Sequence, residues 1–310
     1  MRKKLSVIIP AYNEEAVAEP AAASIGGILK RADIPYELLF VDDGSEDSTW
    51  EKISRLSSED PAIRGIRFSR NFGKDAAIMA GLTAAHGDGC VVIDCDLQHP
   101  PEKIIEMYHL WEQGYDIVAG RKSSRGTEGK LHTLAAKTFY SAISTAVGFD
   151  MENTSDFKLL DRKAVDVLIR MREKHAFFRA LSAWIGFRTA YVDFDVRERM
   201  AGTSKWSVRA LTRYAINSIS SFSTVPMQFA TVLGTLMLLV SIILGVTALV
   251  QACSGHAPEG YTLVIFVQLL SSSLILISLG IIGYYIAKIH EASMDRPRFI
   301  IADTCGDSPL

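Results

Sequence analysis

The stretch VIDCDLQHPPE, residues 92–102, decides how the chain is read: an apolar run opens onto Asp94 and Asp96 and closes on two prolines. A short apolar run bounded by turn residues predicts a strand, on which side chains at i and i+2 share a face. Asp94 and Asp96 would then point together, with Gln98 extending the row. Two like charges side by side repel unless a cation neutralises them, so the pattern fits a divalent ion held by oxygen ligands. A second account makes the same residues a polar turn whose acids cap a helix beginning near Pro100.

Outward from this stretch, apolar runs LSVII (5–9), YELLFV (36–41), IRGIRF (63–68) and CVVI (90–93) punctuate the first third of the chain. They alternate with helical patterns around Glu19 to Ala32, Ser48 to Ser58, Asp75 to His86 and Pro101 to Gln113. Such alternation predicts an α/β fold with a mostly parallel sheet covered by helices and ligands at the carboxyl ends of the strands. The polar clusters fall at those ends: PAYNEE (10–15), DDGSEDST (42–49), RNFGKD (70–75) and DCDLQHPP (94–101). A fifth run, YDIVA (115–119), precedes a basic loop holding Arg121, Arg125 and Lys130.

Each cluster has a chemical use. Gly44 permits a tight turn, Asp42 and Asp43 can accept from a base N–H or ribose hydroxyls, and Ser48 or Thr49 can cap the next helix. A plain acid-rich turn reads the same way. Gly73 and Lys74 stand at a helix start, where backbone N–H groups and a cation can meet phosphate. Neither G-x-x-x-x-G-K-[ST] nor G-x-G-x-x-G occurs, which removes support for a P-loop kinase or a dinucleotide dehydrogenase.

Composition narrows the class further. With 33 basic against 35 acidic residues in 310, charge gives no reason to expect a nucleic-acid partner. Cys90, Cys95, Cys253 and Cys305 form no C-x-x-C pair, which argues against a zinc site or a disulfide framework. The apolar run near the N-terminus stops at Pro10, too short for a signal peptide.

The last third differs in kind. Met227 to Val250 and Tyr261 to Ala287 hold no charged residue. About 24 helical residues reach roughly 36 Å, enough for a ~30 Å hydrocarbon core, so two membrane spans are expected at 226–251 and 261–288. The link QACSGHAPEG (251–260) has no Lys or Arg, whereas Arg209, Arg213, Lys288, Arg296 and Arg298 flank the outer ends of the pair. The positive-inside rule then places both termini in the cytoplasm, leaving residues 1–204 as a cytoplasmic domain and 289–310 as a cytoplasmic tail. Residues 205–225, with Trp206, Leu211, Tyr214 and Ile219 beside Arg209 and Arg213, fit a helix in the headgroup layer or an amphipathic core helix. Gly234, Gly245, Gly280 and Gly283 offer small-residue faces through which a homo-oligomer could pack.

Taken in order, VIIPAYNEE, VDDGSEDST, FSRNFGKDAAIMAGL, VIDCDLQHPPE, SDFKLLDR and RMAGTSKWS followed by two spans resemble the inverting family 2 glycosyltransferases of GT-A fold. The likeness is to the polyprenyl-phosphate branch, which includes dolichol-phosphate mannose synthase and bacterial undecaprenyl-phosphate glucosyltransferases, and it covers essentially the whole chain. It implies a multi-pass protein of the plasma membrane that transfers a sugar from a nucleotide donor to a polyprenyl phosphate with Mg²⁺ or Mn²⁺ as cofactor. Glucose from UDP-glucose is the expected donor group, with mannose, N-acetylglucosamine or an aminoarabinose derivative as alternatives. On the same basis Pro10, Tyr12 and Glu14 line the nucleotide pocket, Asp43 beside Asp42 contacts the base, and Asp94 touches nucleotide or metal. Asp96 and Gln98 would hold the cation, Arg121, Arg125 and Lys130 the acceptor phosphate, and Arg199 and Lys205 the diphosphate. Asp156, in SDFKLLDR, takes the place of the catalytic carboxylate.

Three departures stand out: Cys95 replaces the usual Ala between the two acids, Lys130 stands where a second arginine is common, and EKHAFFRAL lacks the usual R-F-x-R-G. A processive polysaccharide synthase would carry Q-x-x-R-W, which is absent, and a non-catalytic scaffold would have no need of a metal-diphosphate site.

Overall fold

A computed structural model describes residues 2–123, 154–171, 178–196, 225–254, 261–294 and 296–306. The expected sites Arg125, Lys130, Arg199 and Lys205, and the segment 205–224, lie outside the described residues. The chain divides into two bodies, one formed by Met1–Trp206 with Arg296–Leu310 and the other by Ser207–Asp295.

In the first body, β1 (Leu5–Ala11), β2 (Tyr36–Asp42), β3 (Ile63–Phe68) and β4 (Gly89–Val92) alternate with helices α1 (Ala18–Arg31), α2 (Thr49–Glu59), α3 (Lys74–Ala84) and α4 (Lys103–Glu112). β5 (Ile117–Lys122), β6 (Thr154–Asp161), α5 (Arg162–Arg170), α6 (Phe178–Trp184) and β7 (Thr189–Phe194) follow. After the second body the chain adds β8 (Ile301–Cys305). The sheet runs β7-β5-β6-β4-β1-β2-β3-β8. β1 pairs in parallel with both β2 and β4, and β2 with β3, whereas β6 and β8 run antiparallel to their neighbours. The strand order reverses at β1, so the crevice beyond the carboxyl ends of β1 and β4 is the topological switch point where such sheets bind ligands.

The strands are nearly continuous apolar runs because helices cover both sheet faces. Leu5, Val7, Ile9, Leu38, Phe40, Val91 and Ile93 pack with Ile25 and Leu29 of α1 and with Met107, Tyr108 and Trp111 of α4. On the other face Leu39, Val41, Ile66 and Phe68 meet Ala77, Ala80 and Ala84 of α3. The Trp111 indole N–H donates to Asp161 at 2.7 Å, and Asp161 also caps α5 by accepting from the Lys163 N–H.

One expectation is corrected here. Residues 289–310 are not simply a tail, because β8 extends the sheet beside β3 and Phe299 stacks on Phe68 at 5.1 Å. The Arg298 guanidinium donates to the Met171 carbonyl. Sequence patterning misses this strand because IADTC is short and three of its five residues are exposed.

At the amino ends of the parallel strands, Glu37 sits 3 % exposed and accepts from Ser6 Oγ at 2.5 Å, Arg64 Nη1 at 3.0 Å and the His86 N–H at 2.7 Å. Burial opposes its ionisation, but the Ser6 hydroxyl, the His86 N–H and the nearby cations of Lys4 and Arg64 outweigh it and bring the carboxyl down to about 2.

The second body holds α7 (Val225–Cys253) and α8 (Tyr261–Ser293), which pack on one another. Both helices lie where spans were expected, and each extends past the predicted carboxyl-terminal end. Among the described residues one stretch, Leu270–Ala287, is long and apolar enough to cross a membrane, with mean hydropathy 1.8. Apart from the backbone of their own helix, nothing stands within 4 Å of where a Cβ would sit at Gly234, Gly280 or Gly283.

Candidate active site

The loops after β1 and β2 are zipped together. Asn13 N–H donates to Ser45 Oγ at 2.9 Å while Glu46 N–H donates back to Asn13 Oδ1 at 2.9 Å. Glu14 N–H reaches Thr49 Oγ1 at 2.9 Å, and Lys52 Nζ reaches the Glu15 carbonyl at 2.7 Å. These bonds set the PAYNEE segment, with half-buried Pro10, Tyr12 and Glu14, over the ends of β1 and β2. The helix α2 cap differs from expectation: Ser48 makes no side-chain cap bond, and Asp47 accepts the Thr49 N–H at 3.0 Å instead.

Gly44 adopts φ +68°, and a Cβ there would come within 2.5 Å of the Arg70 carbonyl carbon. Gly44→Ala therefore combines a left-handed backbone with a backbone clash, and it is expected to cost about 1–3 kcal/mol. Thermal melting of the variant beside Gly114→Ala, where φ is +93° but no atom lies within 4 Å, separates the clash from the backbone cost.

The two acids after β2 have different tasks. Asp43 accepts from the Phe72 N–H at 2.6 Å and the Gly73 N–H at 2.9 Å, so both its oxygens hold the RNFGKD loop in place. Burial nevertheless pushes its carboxyl up to about 6. Asp42 accepts from Ser45, but its Oδ2 is buried without a hydrogen bond, the Arg67 Nε being 3.6 Å away.

By fixing that loop, Asp43 delivers Lys74 to the first position of α3. Its ammonium, a candidate for phosphate, lies between two carboxylates, 2.6 Å from Asp94 Oδ1 and 3.0 Å from Asp156 Oδ2. Asp156, on β6, is gripped from the other side by Arg179 of α6, with Nε 3.2 Å from Oδ1 and Nη2 3.1 Å from Oδ2. Burial opposes a charge on Asp156, yet Arg179 and Lys74 hold the carboxyl well below the usual range. Asp94 is likewise lowered, with burial opposed chiefly by Lys74.

The DxD segment departs from the strand expectation. The ladder ends where Ile93 N–H donates to the Ile8 carbonyl at 3.0 Å, and β4 itself stops at Val92. Asp94 therefore stands just past the strand and Asp96 in the turn that follows, and Leu97 adopts φ +55°. Asp94 pairs with Lys74, and Asp96 Oδ1 accepts the Gln98 backbone N–H at 3.1 Å. Among the described residues no group of three or more His, Cys, Asp or Glu side chains is arranged to hold a metal. The donors still suit a hard divalent cation, because Mg²⁺ takes one or two carboxylates and completes its shell with water and substrate phosphate.

Other residues fill the surroundings. His99 stacks on Phe157 at 5.2 Å, and its Nδ1 is buried 3.8 Å from Asp94 Oδ2 without a hydrogen bond. Burial lowers its pKa more than Asp94 raises it, which keeps the ring neutral. Arg121, near the end of β5, forms an exposed two-bond pair with Asp193 of β7, at 2.6 and 3.1 Å, and lies 5.6 Å from the Tyr191 ring. Sequence reasoning missed Asp193, Asn13, Ser45 and Arg179. A lone charge in the otherwise uncharged run AFFRALSAWIGF was the available signal for Arg179, since a charge among apolar neighbours needs a partner.

Comparison with known proteins agrees with this architecture. The model of the family "Glycosyl transferase family 2" matches residues 6–181. A bactoprenol glucosyl transferase of Shigella phage SfV is 33 % identical over 96 % of this chain and 98 % of its own. The glycosyltransferase YkcC of Bacillus subtilis is 36 % identical over 97 % and 94 %. Among solved structures, glucosyl-3-phosphoglycerate synthase of Mycobacterium tuberculosis, in complex with Mn²⁺, UDP and glucosyl-3-phosphoglycerate, superposes with TM-score 0.51 over 71 % of this chain and 80 % of its own, at 22 % identity. That likeness is one of fold. The chain belongs to glycosyltransferase family 2, and its full-length likeness is to the bactoprenol glucosyl transferases.

Proposed function

We propose that this glycosyltransferase moves a hexose, glucose from UDP-glucose, onto a polyprenyl phosphate with inversion at the anomeric carbon. The observation that carries this is the Asp94–Lys74–Asp156–Arg179 cluster at the switch point of the sheet, in a chain similar end to end to bactoprenol glucosyl transferases. A phosphate monoester is largely ionised at neutral pH, since its second pKa is about 6, so its oxygen needs no strong base to attack. Asp156 suits that chemistry. A carboxylate held well below its ordinary range by two cations is a poor proton acceptor but a fixed negative charge.

The remaining requirement is charge stabilisation on the departing nucleoside diphosphate. Asp96 and Asp94 are the residues that would hold a divalent cation, Mg²⁺ or Mn²⁺, which supplies positive charge to the diphosphate when bound. The turn that carries Asp43 beside Asp42 is proposed to meet the base, with Tyr12 and Glu14 the walls beside it. Arg199 and Lys205 are proposed at the diphosphate, and Arg121 with Arg125 and Lys130 at the acceptor phosphate.

We infer the membrane placement from the connectivity of the chain. β8 and β3 share one sheet, so the chain leaves the first body and returns to it on the same side of any bilayer. It must then cross an even number of times. With Leu270–Ala287 as one crossing, α7, long enough at 29 residues, supplies the other. Both ends are assigned to the cytoplasm, and Cys253, exposed at the end of α7, to the outside. A membrane-impermeant maleimide is expected to label intact cells through Cys253 and not the Cys253→Ser variant. Labelling of Cys253 only after lysis would reverse the orientation.

The reaction itself is tested with radiolabelled nucleotide sugars and undecaprenyl phosphate in detergent, with Mg²⁺, Mn²⁺ or EDTA. Lipid-linked sugar from UDP-glucose, lost in EDTA and reduced about 100-fold by Asp96→Ala, is expected. No lipid product from any donor would overturn the proposal.

A further inference from the structure

Helix α6 has seven residues, too short to be stable by itself, and its first two residues carry three polar anchors from other elements. Asp75 of α3 accepts the Phe178 N–H at 3.0 Å. Lys158 of β6 donates through Nζ to the Arg179 carbonyl at 3.2 Å and to Ser182 Oγ at 2.7 Å. The Arg179 guanidinium meets both oxygens of Asp156. Asp156 and Lys158 leave β6 on one face, two residues apart, so one strand grips the same arginine by its side chain and its backbone. Lys158 is 2 % exposed. A buried ammonium is costly unless its hydrogen bonds are made, and these two fix the Arg179 backbone beside Asp156.

We infer that Arg179 is a positioning residue for glycosyl transfer: it locks the Asp156 carboxylate in one rotamer, and Asp156 in turn fixes Lys74 against Asp94. The inference rests on the proposed reaction. A guanidinium suits the task because its rigid fork matches both carboxylate oxygens, whereas an ammonium is a single point charge on a flexible stem. The Arg179 guanidinium grips Asp156 with two bonds, so its proposed effect passes through that carboxylate.

Three variants in the full chain test this, assayed for kcat, KM for the sugar nucleotide, and thermal melting. Arg179→Ala is expected to lower kcat about 30-fold with KM changed less than threefold, and Arg179→Lys to recover part of the rate. In an Asp156→Asn background, Arg179→Ala is expected to lower kcat by less than threefold more, because the group it acts through is already disabled. A further loss of tenfold or more in that background would overturn the inference, as would wild-type kcat in Arg179→Ala, or a KM rise that accounts for the whole defect. If Arg179→Ala fails to fold, Arg179→Lys in both backgrounds carries the same comparison. An inactive wild-type chain with every donor would instead remove the reaction on which the inference depends.

Discussion

Asp156→Asn is expected to reduce kcat by about two to three powers of ten while leaving affinity for the nucleoside diphosphate within a few-fold of wild type. The substitution keeps the shape of the side chain and removes the charge that holds Lys74 and Arg179 together. Lys74 would keep Asp94 as its partner, and Arg179 would face a neutral amide. Removing one partner from a buried ionic cluster leaves the others uncompensated, so melting is expected to fall as well, and the rate must be measured below the variant's transition. Turnover with saturating donor and acceptor, beside calorimetric titration with UDP, separates the effects. A fall in kcat of less than threefold would take Asp156 out of the reaction and leave the cluster as scaffold.

Glu37→Ala is expected to be the largest loss of stability, about 3–5 kcal/mol, with no direct effect at the reacting end of the sheet. Its carboxylate is the shared partner of Ser6, Arg64 and the His86 N–H, and Arg64 is itself 4 % exposed. Truncation leaves a buried guanidinium without its counter-ion. For a body of about 200 residues this corresponds to roughly 10 °C in melting temperature. The same carboxyl sets an acid dependence. Its folded value, about 2, lies below the ordinary 4.5, so its contribution is fully present above about 4.5 and is lost as pH falls toward about 2. Wild type should lose stability across that window, and Glu37→Ala should lose less. Equal acid sensitivity in both would show that other carboxylates dominate.

Much of the first body was legible because its strands are buried on both faces. Runs such as LSVII and YELLFV can hardly be anything else between amphipathic helices, and the polar clusters after them mark the carboxyl ends. Strand β8 was not legible, since a short half-exposed edge strand has no periodic signature and its partner is more than 200 residues away. Arg121 was expected to face an acceptor, yet its exposed pairing with Asp193 depends on the parallel register of β5 and β7, which no local pattern encodes.

The sequence by itself determined the α/β class, the polar loops at the strand ends, the family and the two long apolar helices, because each rests on local periodicity or on ordered motifs. Only the tertiary structure decided which charges meet. Asp94, Lys74, Asp156 and Arg179 come from four separate elements, and a charge interacts by distance in space rather than along the chain. It also decided that Asp94 and Asp96 stand beyond the strand, because β4 stops at Val92, before either is reached.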